Sequence, residues 1–193
     1  MERQLVIDAS VARAANGVLN CQEFLEVIRI KRYHIIMSPY IRDEWKYQQS
    51  RFAISWRSQM VSMGRMHIIN IEINKDLRAN IGYASPTHEC KEAMLKDAPL
   101  IEAALEADET VISLDERVRK MFAYASKHIC EIRIIVWVNP AQEIERPLQW
   151  LKEGALPEIQ RRLEHLFDRR RDRKDSECDL EGFGFFMAEA CPI

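Results

Sequence analysis

Residues 96–122 read KDAPLIEAALEADETVISLDERVRKMF, and the architecture follows from this stretch. Asp97-Ala98-Pro99 places an N-cap residue and a proline where a helix opens, and the spacing predicts that helix over 100–107. TVISL at 110–114 is rich in β-branched residues and is expected to be a strand. Residues 116–127 return to helical spacing. Helix, strand and helix in such close succession are the building unit of a parallel α/β sheet.

The alternation continues on both sides. Leu5–Ile7 is a short apolar run, expected as a buried strand, that stops abruptly at Asp8. Asn20 with Glu23 reads as a capping box opening a helix to about Lys31. Tyr33–Met37 is a second strand, and Ser38-Pro39 supplies an N-cap and a first-turn proline. Ile41, Trp45, Phe52, Trp56 and Met60 predict one long helix ending near Gly64. His67–Ile71 is another short strand, and 75–96 is helical with an interruption at Ser85-Pro86. IRIIVWV at 132–138 is apolar on both faces, as a central parallel strand is. The expectation is a three-layer α/β/α domain with a central parallel sheet over residues 1–140. Beyond Pro140 the pattern changes. Residues 143–170 look helical with a break near Gly154 and Pro157, so 141–193 are read as a helical C-terminal extension and tail. Its Ile144, Leu148, Leu151, Leu156, Ile159, Leu163 and Leu166 form a stripe that has to be buried somewhere, against the domain itself or a partner.

Bulk properties limit the function classes. The chain of 193 residues is 47% hydrophobic with a formal net charge of −2, which suits one globular domain and an appendage. Such a balance gives no global basic field, so any nucleic-acid contact must be local. The five cysteines include no C-x-x-C pair, which argues against a zinc ribbon or a disulfide framework and for a reducing compartment. No signal-peptide core opens the chain and no apolar run spans a bilayer; the expected location is the cytoplasm, away from membranes.

Carboxylates recur at the corners of this pattern. Asp8 and Asp115 each follow a strand, Glu44 lies one or two turns into the helix after the second strand, and Asp97 opens a helix. Helices antiparallel to the strands start at the edge where strands end, and that edge binds ligands in open α/β sheets. Each acid also has a plain reading. Asp8, Asp97 and Asp115 are candidate helix caps, and Glu44 a solvated helix residue with Asp43 as its competitor. Together, four converging carboxylates repel unless protons or a cation neutralise them. Hard cations such as Mg²⁺ or Mn²⁺ favour oxygen ligands and suit phosphodiester hydrolysis.

LVIDAS, SPYIRDEW, the 96–122 stretch and IIVWVNP, in this order and at these spacings, resemble the successive motifs of PIN-domain nucleases. The resemblance covers about residues 1–140. It implies a doubly wound domain and Mg²⁺- or Mn²⁺-dependent cleavage of single-stranded RNA, with Asp8, Glu44, Asp97 and Asp115 as the metal-holding, catalytic acids. Ser10, Ser113 and Asn139 would support them from behind, the two serines being equally readable as helix caps. Small members of the family are commonly toxins of toxin–antitoxin pairs and commonly form homodimers. They end near the equivalent of Pro140, and here residues 141–193 follow. The alternatives are a toxin silenced by an antitoxin-like partner and a PIN-like module that binds RNA or protein without cleaving.

Other signals carry less. The five histidines form no metal-binding spacing, and His88-Glu89-Cys90 stands alone. No phosphate-binding glycine loop occurs. Haloacid dehalogenase-type phosphatases need a second acid two residues after the first, where this chain has Ser10. DRRRDRKD at 168–175 interleaves aspartates with its basic residues and reads as a solvated helix end rather than a phosphate clamp. Phe183, Phe185, Phe186 and Met187 read as a cluster that packs on the chain's own core.

Overall fold

The computed structural model describes residues 3–17 and 19–166. Its strands are β1 (Gln4–Ile7), β2 (His34–Met37), β3 (Met66–Ile68), β4 (Thr110–Ile112) and β5 (Val136–Val138). They form one five-stranded, all-parallel sheet in the order β3-β2-β1-β4-β5. The helices are α1 (Ala9–Ala14), α2 (Leu19–Ile30), α3 (Pro39–Gln48), α4 (Arg51–Ser62), α5 (Lys75–Ala84), α6 (His88–Leu105), α7 (Glu116–Ala125), α8 (Pro147–Lys152) and α9 (Leu163–Leu166). The protein is therefore α/β with a central parallel sheet, an arrangement compatible with three layers.

The strands are short and wholly apolar where they cross the core. Leu5–Ile7, Val111, Ile112 and Val136–Val138 are all buried. Parallel strands covered on both faces need such continuous apolar runs. Trp45, Trp56, Trp137, Phe24 and Phe122 fill the space around them. Each such side chain contributes roughly 2–3 kcal/mol of burial before entropy is counted.

Register fixes the functional edge. Ile7 lies beside Ile112, and Ile112 beside Val138. The next residues, Asp8, Ser113 and Asn139, therefore leave the sheet side by side. The chain runs outward from β1 through β2 to β3, then returns to place β4 on the other side of β1. Strand order reverses between β1 and β4, the place where a crevice opens in doubly wound sheets.

Several local expectations are corrected. The single long helix over Ile41–Met60 is two helices. Gln49 is extended (φ −63°, ψ 138°), and the Ser50 hydroxyl caps α4 by accepting from the Ala53 amide at 3.2 Å. The break is pinned by the Ser50 amide, which donates to the Ala12 carbonyl at 3.1 Å. The apolar spacing concealed it because Trp45 and Phe52 lie seven residues apart on either side. Asp97 does not open a helix. Thr87 caps α6, which runs through Pro99 to Leu105. Buried Met94, Ala98 and Ile101 keep the helical spacing across the proline and hold the helix on the core despite the lost hydrogen bond. Asn20 is no cap either. It lies inside α2, and its amide donates to Glu143 at 3.1 Å.

Residues 143–166 are not a continuous helix but short helical pieces joined by turns, with Arg146 and Ala155 at positive φ. This segment packs α8 on α2 and α9 on α7. The Tyr33 hydroxyl donates to the Leu151 carbonyl at 2.6 Å, and the Leu163 amide to the Ile135 carbonyl at 2.9 Å. Arg162 bridges Val136 in antiparallel fashion, covering the free edge of β5. Of the expected stripe, Leu151 and Leu163 are buried and Leu148 and Leu166 partly so, while Ile144, Leu156 and Ile159 stay exposed. The short pieces turn too often to keep one face inward. The basic run at 168–175 and the cluster at Phe183–Met187 lie outside the described residues.

Candidate active site

Asp8 follows β1 at the reversal point. It occupies the N-cap position of α1 but makes no side-chain cap. Instead its Oδ2 accepts from the hydroxyls of Ser10 and Ser113, the latter at 2.8 Å. Both serines are held in turn: Ser10 Oγ accepts from the Leu114 amide at 3.2 Å, and Ser113 Oγ from the Asp115 amide at 3.1 Å. The ends of β1 and β4 are thus laced together by two hydroxyls that converge on one carboxylate. The equal readings of Ser10 and Ser113 resolve toward support of Asp8.

Asp115 does cap its helix. Its Oδ1 accepts from the Val118 amide at 2.9 Å, and the carboxylate is exposed. Cap and site roles are compatible, because a carboxylate has two oxygens and further lone pairs.

Glu44 is carried by α3, whose position is fixed from below by its neighbour. The buried Trp45 donates its indole N–H to the Ile7 carbonyl at 2.8 Å, at the very end of β1. Burial and the charge of Asp8 raise the Glu44 pKa; Lys96 and a hydrogen bond from the Tyr40 hydroxyl work against that rise. Asp43, the competing acid, is paired with Arg42 at 2.9 Å and Lys46 at 3.0 Å. Those hydrogen bonds pull it down to about 2. Its charge is already answered, and Glu44's is not.

Asp97 reaches the same place by a different route from the expected one. Glu89, in the first turn of α6, pairs with Arg117 of α7 at 2.6 Å, so the N-terminal half of α6 stands beyond the strand ends. That places mid-helix Asp97 at the edge. Its carboxyl is pushed up to about 7, first by burial, then by Asp8, Asp115 and Glu44, with Lys96 opposing. Four chain segments thus bring carboxylates into electrostatic contact. Among the described residues, no three His, Cys, Asp or Glu side chains are gathered tightly enough to hold an ion as they stand. Repulsion between like charges acts in that direction.

Asn139 lies behind the site, not in it. Its side-chain amide donates to Glu116 at 2.9 Å and to the Leu114 carbonyl at 3.4 Å, and its Oδ1 accepts from the Ala141 amide at 2.9 Å. It braces the loop that carries Asp115. Tyr40 and Lys96 were not singled out in the sequence. The signal was available: Tyr40 lies one helical turn before Glu44, and Lys96 directly precedes Asp97.

Among the described residues, no helix is long and apolar enough to cross a membrane. No family model, no curated protein and no solved structure matches the chain.

Proposed function

We propose that this chain is a metal-dependent endoribonuclease with a PIN-like domain, hydrolysing phosphodiester bonds of single-stranded RNA in the cytoplasm. One observation carries the reading. Asp8, Glu44, Asp97 and Asp115 come from four segments near the reversal point of a parallel sheet, and the charge of Asp8 acts on Glu44 and Asp97, and that of Asp115 on Asp97, with Lys96 opposing. Among the described residues, none of the four makes an ion pair of the kind that ties Asp43 to Arg42 and Lys46.

The donor set fits Mg²⁺ or Mn²⁺ by its chemistry. It offers only hard oxygen donors, and in Glu44 and Asp97 the ionised form is disfavoured first by burial and then by the neighbouring carboxylates. Asp8, Glu44 and Asp97 would hold the ion, with Asp115 beside them. When bound, such an ion supplies Lewis-acid stabilisation of charge on the phosphate. The chain's own contribution is positional. Ser10 and Ser113 aim Asp8, the Tyr40 hydroxyl holds Glu44, and Asn139 with Glu116 steadies the Asp115 loop. Attack by water suits this set, since both serine hydroxyls are already committed to a carboxylate.

The test is cleavage of a labelled single-stranded RNA with Mn²⁺. Wild type is expected to cut it, EDTA to stop the reaction, and Asp8→Asn to slow it by roughly 100-fold or more. An Asp8→Asn protein as active as wild type would overturn the assignment.

A further inference from the structure

Next to the carboxylates lies a groove of about 440 Å³, within the range of small-ligand sites. Its walls come from the start of α3, the β3–α5 loop, α5 and α6. Two helices are shared between groove and acid cluster. α3 contributes Tyr40 to the groove and Glu44, one turn on, to the acids; α6 contributes Lys96 to the groove and Asp97 to the acids. The groove therefore opens directly onto the candidate catalytic edge.

Its chemistry is that of a nucleotide site. Tyr40 is 45% exposed and Ile73 61% exposed, giving the groove a partly open aromatic and aliphatic lining. Arg78 lines the groove but is neutralised by buried Glu102 through two hydrogen bonds of 2.8 Å, and Glu102 also accepts from the Asn74 amide at 3.1 Å. Among the described residues, no hydrogen bond or ion pair engages Lys96, which is exposed. Asn70 and Glu72 line the rim with polar groups. An apolar ring platform beside an exposed lysine, whose charge also acts on Glu44 and Asp97, matches a base and its phosphate, the pairing by which proteins hold single strands.

Taking the nuclease reading as its basis, we infer that this groove binds the nucleotide adjacent to the scissile phosphate of single-stranded RNA, its base stacked on Tyr40 and its phosphate at Lys96. The Arg78–Glu102 pair is the groove's fixed wall, joining α5 to α6. Stacking on Tyr40 tolerates any base, so the site sets strandedness and not sequence.

The experiment is fluorescence anisotropy of a labelled single-stranded RNA octamer with the full chain, with Ca²⁺ in place of Mn²⁺, over a range of salt. Tyr40→Ala is expected to weaken binding about 10-fold, and Tyr40→Phe, which keeps the ring and loses only the hydroxyl that bonds Glu44, to recover most of that loss. Lys96→Gln should reduce the slope of log K against log salt by about 0.7, one phosphate contact on a single strand. In an octamer series with one base removed at each position in turn, wild type should be sensitive at one position and Tyr40→Ala should lose that sensitivity. If wild type binds and cleaves RNA while Tyr40→Ala and Lys96→Gln match it, the groove assignment falls and the nuclease reading stands. If wild type binds no RNA, both fall.

Discussion

Two regions of this molecule gather charged side chains, and they treat charge in opposite ways. Behind α7, Arg119 is 4% exposed and donates to Glu116 at 2.9 Å and to both oxygens of Glu145 at 3.0 and 2.9 Å. Arg161 joins them, donating to the Glu145 carbonyl at 2.5 Å and to Glu158 at 2.7 Å. Every acid there has a basic partner. At the β1–β4 edge the acids have hydroxyl and amide partners, and the charges of Lys96 and Arg117 nearby, but among the described residues none makes an ion pair. The first region fastens residues 143–161 to α7; in the second, like charges act on one another, which costs stability. Functional sites are where such a cost is tolerated. The two regions also touch: Glu116 accepts from both Arg119 and Asn139, so the paired network braces the Asp115 loop from behind.

The largest effect is expected where the paired network is broken. Glu145→Ala takes from buried Arg119 and Arg161 the carboxylate they share, leaving them Glu116 and Glu158 respectively. It should cost about 3 kcal/mol in urea unfolding. A loss under about 1 kcal/mol, the worth of a surface pair, would show the two regions to be alike after all.

At the other region the sign should reverse. Asp97 has its pKa raised in the folded protein to about 7 from an ordinary 3.8, so the folded state holds a proton that the unfolded state has released. Stability from this group is complete below about pH 4 and is lost as pH rises to about 7. Asp97→Asn removes that loss. Without metal the variant should be more stable than wild type by roughly 2–3 kcal/mol at pH 8, allowing for the group's partial exposure, and equal to it near pH 4. Melting curves across this pH range measure it; an asparagine variant that is less stable at pH 8 would make Asp97 a structural acid.

Adding Mn²⁺ should recover what repulsion costs. An ion thirty-fold above its Kd stabilises the protein by about 2 kcal/mol, and Asp8→Asn should remove most of the gain. Equal shifts in wild type and variant would place binding elsewhere.

The smallest effect separates two acids within the site. Asp115 caps α7 and Asp8 caps nothing. Asp115→Ala should lose about 1 kcal/mol of cap, offset in part by relieved repulsion, whereas Asp8→Asn should be neutral or stabilising without metal.

Much of this was legible in the sequence. Strands β1, β2 and β4 were, because each is a short apolar run ended by a polar residue, and burial on both faces demands such a run; β5 was only in part, since the run 132–138 is a strand over Val136–Val138 alone and lies at the sheet's edge, its first residues turning instead. Asp8 and Asp115 were legible as the residues that end two of those runs. Asp97 lies mid-helix, whereas Pro99 as a local signal points to a helix start. Local preference sees the missing amide; it does not see Met94, Ala98 and Ile101 holding the helix straight across it. The break at Ser50 was lost for the same reason, because a hydrophobic stripe with a spacing of seven is blind to a turn between its members.

Sequence by itself determined the alternation of strand and helix and the parallel sheet, since these rest on local apolar pattern. It could not determine which charges are answered. Glu145 lies 26 residues from Arg119, Ser113 lies 105 from Asp8, and Asp43 and Glu44 are adjacent yet opposite in fate. Whether a carboxylate meets a guanidinium, a hydroxyl or another carboxylate depends on strand order and register, and electrostatic energy follows distance in space, not separation along the chain.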